Sequence, residues 1–138
     1  PEANIICKIE SEQALLNLPE ILALADQILI DRGDLSRQIP IEKIPFLQRK
    51  IISKANEQGK PVFVATNLLE SMVSQQTPNR AEVNDTVSSL EMGASGLVLA
   101  AETAIGKFPV DAVRMIRSLI MENDKYKDGA TFKSILGE

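Results

Sequence analysis

Lys8 and Glu10 stand two residues apart at the end of an apolar run, a spacing that places both side chains on one face of a β-strand. Asp34 follows the next apolar run. Neighbouring strands lie only about 4.8 Å apart, so the carboxylates of Glu10 and Asp34 can share one ion. Two carboxylates, completed by substrate oxygens and water, are a ligand set that Mg²⁺ prefers. The alternative is structural, with Lys8 and Glu10 as an internal ion pair and Asp34 as a turn residue or helix cap.

Gly33 precedes Asp34 and permits a close approach to the backbone. If a short helical turn begins here, the amides near Gly33, Asp34 and Leu35 offer a seat for an anion such as a carboxylate. The tripeptide Arg-Gly-Asp is common in unrelated proteins, so the interpretation depends on its place after a strand.

Short apolar runs rich in Ile and Val must position these residues. They cover residues 4–9, 27–30, 61–65 and 96–100. Continuous apolar runs of this length are typical of parallel strands that are covered on both faces. Helical spacing of apolar residues lies between them and after the last, over about 14–22, 44–55, 81–92 and from 109 onward. This alternation predicts an α/β fold with parallel strands, either an open sheet or half of a (β/α)8 barrel.

Polar residues follow every one of these apolar runs. They are Lys8-Ile9-Glu10, Asp31-Arg32-Gly33-Asp34, Ala65-Thr66-Asn67 and Ala100-Ala101-Glu102-Thr103. Ligand sites of barrels and open α/β sheets lie beyond the carboxyl ends of the strands. Polar clusters on successive strands therefore favour a functional site at the rim of the sheet, where the carboxyl ends of the strands lie.

Composition excludes several classes of chemistry. The 138 residues contain no His and one Cys, so the chain cannot form a Ser-His-Asp triad or a zinc cage by itself. Cys7 lies in an apolar run and is predicted to act as a small hydrophobic residue. The net charge of −4 without a basic cluster argues against nucleic acid, and no apolar stretch is long enough for a membrane span. A cytoplasmic location is therefore expected.

Several motifs in series resemble the pyruvate kinase family. They are Lys8-Ile9-Glu10, Arg32-Gly33-Asp34-Leu35, Ala65-Thr66-Asn67-Leu68-Leu69-Glu70-Ser71-Met72, Arg80-Ala81-Glu82 and Glu102-Thr103-Ala104. The resemblance implies that residues 1–122 are the C-terminal half of a pyruvate-kinase-type (β/α)8 TIM barrel and that 123–138 form a tail or linker.

The same resemblance implies roles for individual residues. Lys8 and Thr66 would be catalytic, with Lys8 as the cation beside the transferring phosphoryl group and the enolate oxygen. Glu10 and Asp34 would hold Mg²⁺ (or Mn²⁺), and the substrate carboxylate would bind the amides of Gly33 and Asp34 and the hydroxyl of Thr66. Potassium and nucleotide are also implied, with ligands that lie outside this chain.

The chain departs from the family pattern at several rim positions. Asp31 replaces the usual Ala before Arg-Gly-Asp and adds a negative charge, and Asn67 replaces a Gln. Ala100 and Ala101 replace Ser-Gly, which removes a hydroxyl implicated in the proton path to the enolate. Ile105 stands in place of a Lys.

The first functional hypothesis is a phosphotransferase module that binds Mg²⁺ and phosphoenolpyruvate or pyruvate, within an enzyme that transfers phosphate to ADP in glycolysis. A metal-dependent pyruvate-enolate lyase and a degenerate, non-catalytic binding or assembly module are the alternatives. Half a barrel exposes strand edges and inward side chains, so we expect a first-half barrel polypeptide or self-association to complete it.

Overall fold

A computed structural model describes residues 2–138, built around a parallel sheet with the strand order β1-β2-β3-β4. The strands are β1 (Ile6–Ile9), β2 (Gln27–Asp31), β3 (Val62–Ala65) and β4 (Gly96–Val98). The helices are α1 (Glu12–Leu16), α2 (Leu18–Leu24), α3 (Arg32–Gln38), α4 (Ile44–Glu57), α5 (Arg80–Glu91), α6 (Ala101–Ala104), α7 (Pro109–Tyr126) and α8 (Phe132–Leu136). Short 3-10 helices lie at Ile41–Lys43 and Glu70–Val73. The predicted α/β class is confirmed, and parallel strands in sequence order are consistent with part of a (β/α) barrel.

The two faces of the sheet differ in how deeply their side chains are buried. Ile30 and Val64 are paired in register, and both are 0% exposed within the hydrophobic core. Lys8, Leu29 and Phe63 form a row on the opposite face, where all of them keep some exposure to solvent. A closed barrel turns one face of its sheet toward the axis, and in a barrel built on this sheet the less covered face would be the inner one.

The long helices cover the buried face, as their apolar spacing predicts. Ile51, Ile52 and Ala55 of α4 are at most 1% exposed, and Ala112 and Ile116 of α7 are also buried. These side chains belong to the same apolar cluster as the sheet residues. Burial of a Leu or Ile side chain contributes about 1.5–3 kcal/mol, so these helices supply much of the stability of the core.

Element boundaries differ from the sequence expectations in several places. β1 begins at Ile6 and β4 ends at Val98, so both outer strands are shorter than their apolar runs. The first helical segment divides into α1 and α2 at Asn17, which caps the end of α1. α7 continues beyond residue 122 to Tyr126. The division into a barrel part and a tail stays a prediction.

Cys7 is half-buried and packs against the core cluster. None of the helices within residues 2–138 has the length and apolar character needed to cross a membrane.

Candidate active site

Lys8 lies between two carboxylates at the carboxyl ends of β1 and β2. Its Nζ is 3.0 Å from Oε2 of Glu10 and 3.0 Å from Oδ2 of Asp31. The Lys8–Glu10 ion pair that the sequence left open as an alternative is therefore present. The contact with Asp31 was not predicted, and it is the more buried one, because the Asp31 side chain is 10% exposed against 39% for Glu10.

Asp31 also begins the following helix. Its Oδ1 accepts a hydrogen bond of 3.2 Å from the amide of Asp34, so Asp31 is the N-cap of α3. The sequence alternative made Asp34 a turn residue or helix cap, and the capping part of it is wrong, because α3 begins at Arg32 and Asp34 lies in its first turn. A carboxylate at the first turn of a helix is also favoured by the helix dipole.

Asp34 completes a cluster of three carboxylates. One carboxylate oxygen from each of Glu10, Asp31 and Asp34 lies within 4.8 Å of the others. Oε2 of Glu10 is buried, and the ammonium of Lys8 lies 3.0 Å from it. Oxygen donors at this spacing fit a divalent cation such as Mg²⁺ after small side-chain movements, since Mg²⁺ takes an octahedral set of oxygens at about 2.0–2.1 Å.

The ionisable groups of this cluster shift one another's pKa values. Glu10, and then Asp31, raise the pKa of Lys8 above its ordinary value of 10.5. Burial alone would raise the pKa of Asp31, but hydrogen bonding from Asp34 and the contact with Lys8 lower it below 3.8. Asp31, followed by Glu10, raises the pKa of Asp34 above 3.8. The ammonium of Lys8 and the carboxylate of Asp31 thus stabilise each other, whereas the negative charge of Asp34 is disfavoured.

Thr66 and Gly33 lie together beside this cluster. The Gly33 amide donates a 2.7 Å hydrogen bond to Oγ1 of Thr66, whose hydroxyl donates to the carbonyl of Ala65 at 2.7 Å. A Cβ on Gly33 would lie 3.5 Å from Oγ1 of Thr66, an ordinary contact, so steric space alone does not require glycine here. The predicted carboxylate seat has its donors paired internally, since the Asp34 amide is bonded to Asp31.

The backbone at Thr66 and Asn67 is left-handed, with φ values of 71° and 59°. This region is unfavourable for a β-branched residue such as Thr and costs about 1–3 kcal/mol. Arg32 stabilises the turn, because its Nη2 donates to the Thr66 carbonyl at 2.6 Å and its Nε donates to the Ala65 carbonyl at 3.2 Å. Nη1 of the same guanidinium contacts Asp85 of α5 at 2.7 Å. Arg32 therefore links the ends of β2 and β3 to α5.

Glu102 makes an equivalent link between the last two strands. It is 1% exposed, and its carboxylate accepts hydrogen bonds of 2.9 Å from the amides of Leu69 and Ala100. Two backbone donors thus satisfy a buried carboxylate that the sequence identified only as part of a motif.

Comparison with known proteins identifies the family of this chain. The model of the pyruvate kinase barrel domain matches residues 1–113. The chain belongs to the pyruvate kinase family. A pyruvate kinase of Thermotoga maritima is 44% identical over 124 residues, which are 90% of this chain and 27% of the relative. Plastidial pyruvate kinase 3 of Arabidopsis thaliana is 42% identical over 123 residues, or 89% of this chain and 22% of the relative.

The fold agrees with a solved pyruvate kinase structure. A crystal structure of a pyruvate kinase from Cryptosporidium parvum superposes with a TM-score of 0.83 at 42% identity, covering 84% of this chain and 23% of that one. The resemblance to the pyruvate kinase family that the sequence indicated is confirmed. The chain spans about a quarter of the length of these relatives.

The pyruvate kinase residues selected from the sequence form two adjoining groups. Lys8, Glu10 and Asp34 belong to the charged cluster, and Gly33 and Thr66 form the neighbouring hydrogen-bonded pair. Their assignments as catalytic, metal-binding and substrate-binding residues stay predictions. The contacts of Arg32 and the burial of Glu102 were missed, because the partners of Arg32 and the Leu69 partner of Glu102 lie at least 33 residues away in the sequence.

Proposed function

We propose that this chain is a phosphotransferase module that binds a divalent cation and phosphoenolpyruvate or pyruvate, within an enzyme that transfers phosphate from phosphoenolpyruvate to ADP in glycolysis. The observation that carries the proposal is the position of Lys8 beside Glu10 and Asp31, with Asp34 within reach of the same oxygens. Membership of the pyruvate kinase family supports it.

In this proposal Glu10 and Asp34 hold Mg²⁺ or Mn²⁺. A bound divalent cation would supply Lewis-acid polarisation of the substrate oxygens. Lys8 provides a fixed positive charge where negative charge develops on the phosphoryl group and the enolate oxygen. Lys8 is protonated at neutral pH, and its two carboxylate neighbours raise its pKa further above the ordinary value.

The substrate carboxylate is assigned to the amides of Gly33 and Asp34 and to the Thr66 hydroxyl. Each of these donors has an internal partner. Binding of the substrate carboxylate therefore replaces internal hydrogen bonds of these donors with hydrogen bonds to the substrate. The left-handed turn held by Arg32 keeps the Thr66 hydroxyl next to Gly33 during this exchange.

Completion of the barrel requires strands beyond the described sheet. β1 and β4 are its outer strands, and Ile6 at one edge is 52% exposed. We assign the missing part to a first-half barrel polypeptide or to a second copy of this chain. Nucleotide and K⁺ would bind to groups that this chain does not supply, and a cytoplasmic location, without nucleic acid or membrane as partners, completes the proposal.

A non-catalytic pyruvate-kinase-like binding module is the second candidate. The ion pair between Lys8 and the buried Asp31 favours it, because it partly neutralises the cation on which catalysis depends. Substrate turnover by the assembled barrel separates the two candidates, since both can bind a metal ion.

Isothermal titration of the chain with Mn²⁺, alone and with oxalate, tests the proposed site. The Glu10→Gln and Asp34→Asn variants should each bind Mn²⁺ at least about tenfold more weakly, because each loses a charged oxygen ligand. Glu57→Gln is the matched control, because Glu57 is an exposed residue of α4 remote from the cluster. If Glu10→Gln and Asp34→Asn bind Mn²⁺ as tightly as the parent chain, the metal assignment is wrong.

A further inference from the structure

Negative charge exceeds positive charge around Lys8. Glu10, Asp31 and Asp34 contribute three carboxylates within 4.8 Å of one another, and Lys8 contributes one ammonium to the cluster. Arg37 contacts Asp34 at 3.5 Å, but its side chain is 82% exposed, so water screens most of that charge.

Asp31 is the most firmly held of the three carboxylates. The residue is 7% exposed, with one oxygen bonded to the Asp34 amide and the other in contact with Lys8. Arg32, its neighbour in sequence, is turned toward Asp85 and the backbone carbonyls of the next strand. The negative charge of Asp31 therefore acts chiefly on Lys8 and on any ligand that binds beside Lys8.

We propose that Asp31 is a specificity-determining residue that makes binding at this site ordered, with the divalent cation first and the anionic substrate second. An anion that approaches Lys8 without the cation meets an excess of negative charge and an ammonium already paired with two carboxylates. A divalent cation is attracted by the same charges, and its binding changes the local balance in favour of the anion. This inference depends on the proposed function for the position of the cation and substrate.

The Asp31→Asn variant isolates the charge. Asn caps helices as well as Asp does, so the hydrogen bond from the Asp34 amide is retained while the negative charge is removed. Titration with Mn²⁺ alone should show binding about tenfold weaker than in the parent chain, the order expected for one charge a few ångströms away in a partly solvated site. Titration with oxalate at saturating Mn²⁺ should show binding tighter by about the same factor.

The opposite signs of these two changes distinguish an electrostatic role from a structural one. Loss of a merely structural residue would weaken the binding of both ligands. Asp124→Asn, an exposed residue of α7, is the matched control and should change neither affinity. Should Asp31→Asn not fold, Asp31→Ser supports the same comparison, because Ser is also a good N-cap without charge.

Two results would overturn the proposal and identify where it fails. If the parent chain and Asp31→Asn bind Mn²⁺ but have equal affinity for oxalate, Asp31 does not control the anion, and the proposed metal site stands. If the parent chain does not bind Mn²⁺, the proposed function fails, and ordered binding fails with it.

Discussion

Replacement of Arg32 by Met should lower the free energy of unfolding of this chain. The Arg32 side chain is 13% exposed and donates to the carbonyls of Ala65 and Thr66 while pairing with Asp85. Each hydrogen bond from a charged donor contributes about 1.5–3 kcal/mol, and the two bonds are not additive because they share one side chain. The pair with Asp85 adds at most about 1 kcal/mol, because Asp85 is 37% exposed. We expect a loss of about 3 kcal/mol in the free energy of unfolding.

Urea unfolding followed by far-ultraviolet circular dichroism measures this loss. Asp85→Asn should lower the unfolding free energy by less than about 1 kcal/mol, because it leaves both carbonyl bonds in place. Arg114→Met on α7 is the matched control, since Arg114 is 77% exposed and its contact with Asp111 is long, at 3.8 Å. Its unfolding free energy should match that of the parent chain.

Amide exchange gives a second, local measurement of the Arg32 effect. The Gly33 amide is bonded to Oγ1 of Thr66, so it should exchange faster when the left-handed turn loosens in Arg32→Met. If Arg32→Met costs less than about 1 kcal/mol, or if Asp85→Asn costs as much, the guanidinium–carbonyl bonds do not hold the turn as argued.

Three further predictions concern charge, burial and assembly. The folded-state pKa of Asp34 is raised above 3.8, chiefly by Asp31, so Asp34 favours folding below that pH and loses this contribution as the pH rises through its folded-state value. The melting temperature of Asp34→Asn should therefore be higher than that of the parent chain at pH 7 and equal to it near pH 3.5. Equal melting temperatures at both pH values would refute the repulsion between Asp34 and its carboxylate neighbours. Glu102→Gln should lower the unfolding free energy by about 2–3 kcal/mol in urea, because one amide donor would face an NH₂ group, while the exposed Glu91→Gln serves as control. Sedimentation at micromolar concentration should show self-association of the isolated chain, and a cooperative monomer with strong amide protection in β1 and β4 would contradict the need for a partner.

Much of the fold follows from local patterns in the sequence. The apolar runs and the helical spacing between them determine the strands and the long helices, because burial of periodic side chains depends on near neighbours in sequence. The pairing of Lys8 with Glu10 follows from the same periodicity, since residues two apart share a face of a strand. Asp34 joins them because neighbouring parallel strands bring their carboxyl ends together.

The contacts that hold the site could not be read from such patterns. Arg32 and Asp85 are 53 residues apart, and the other partners of Arg32 are backbone carbonyls, which every residue type presents alike. The left-handed conformation of Thr66 contradicts its intrinsic preference and depends on tertiary contacts. The two roles of Asp31 depend on where α3 begins, and helix boundaries are the least certain part of any sequence interpretation.

The contacts that hold the site together reach the ends of all four strands of the sheet. Asp31 joins the ends of β1 and β2, Arg32 joins those of β2 and β3, and Glu102 joins the loops after β3 and β4. Every link lies within this chain, so the geometry of the rim does not need the rest of a barrel. Lys8, however, has a side chain that is 53% exposed, and exclusion of water strengthens electrostatic catalysis. The proposed metal site therefore lies within this chain, whereas the proposed phosphoryl transfer would also need strands that cover the open face.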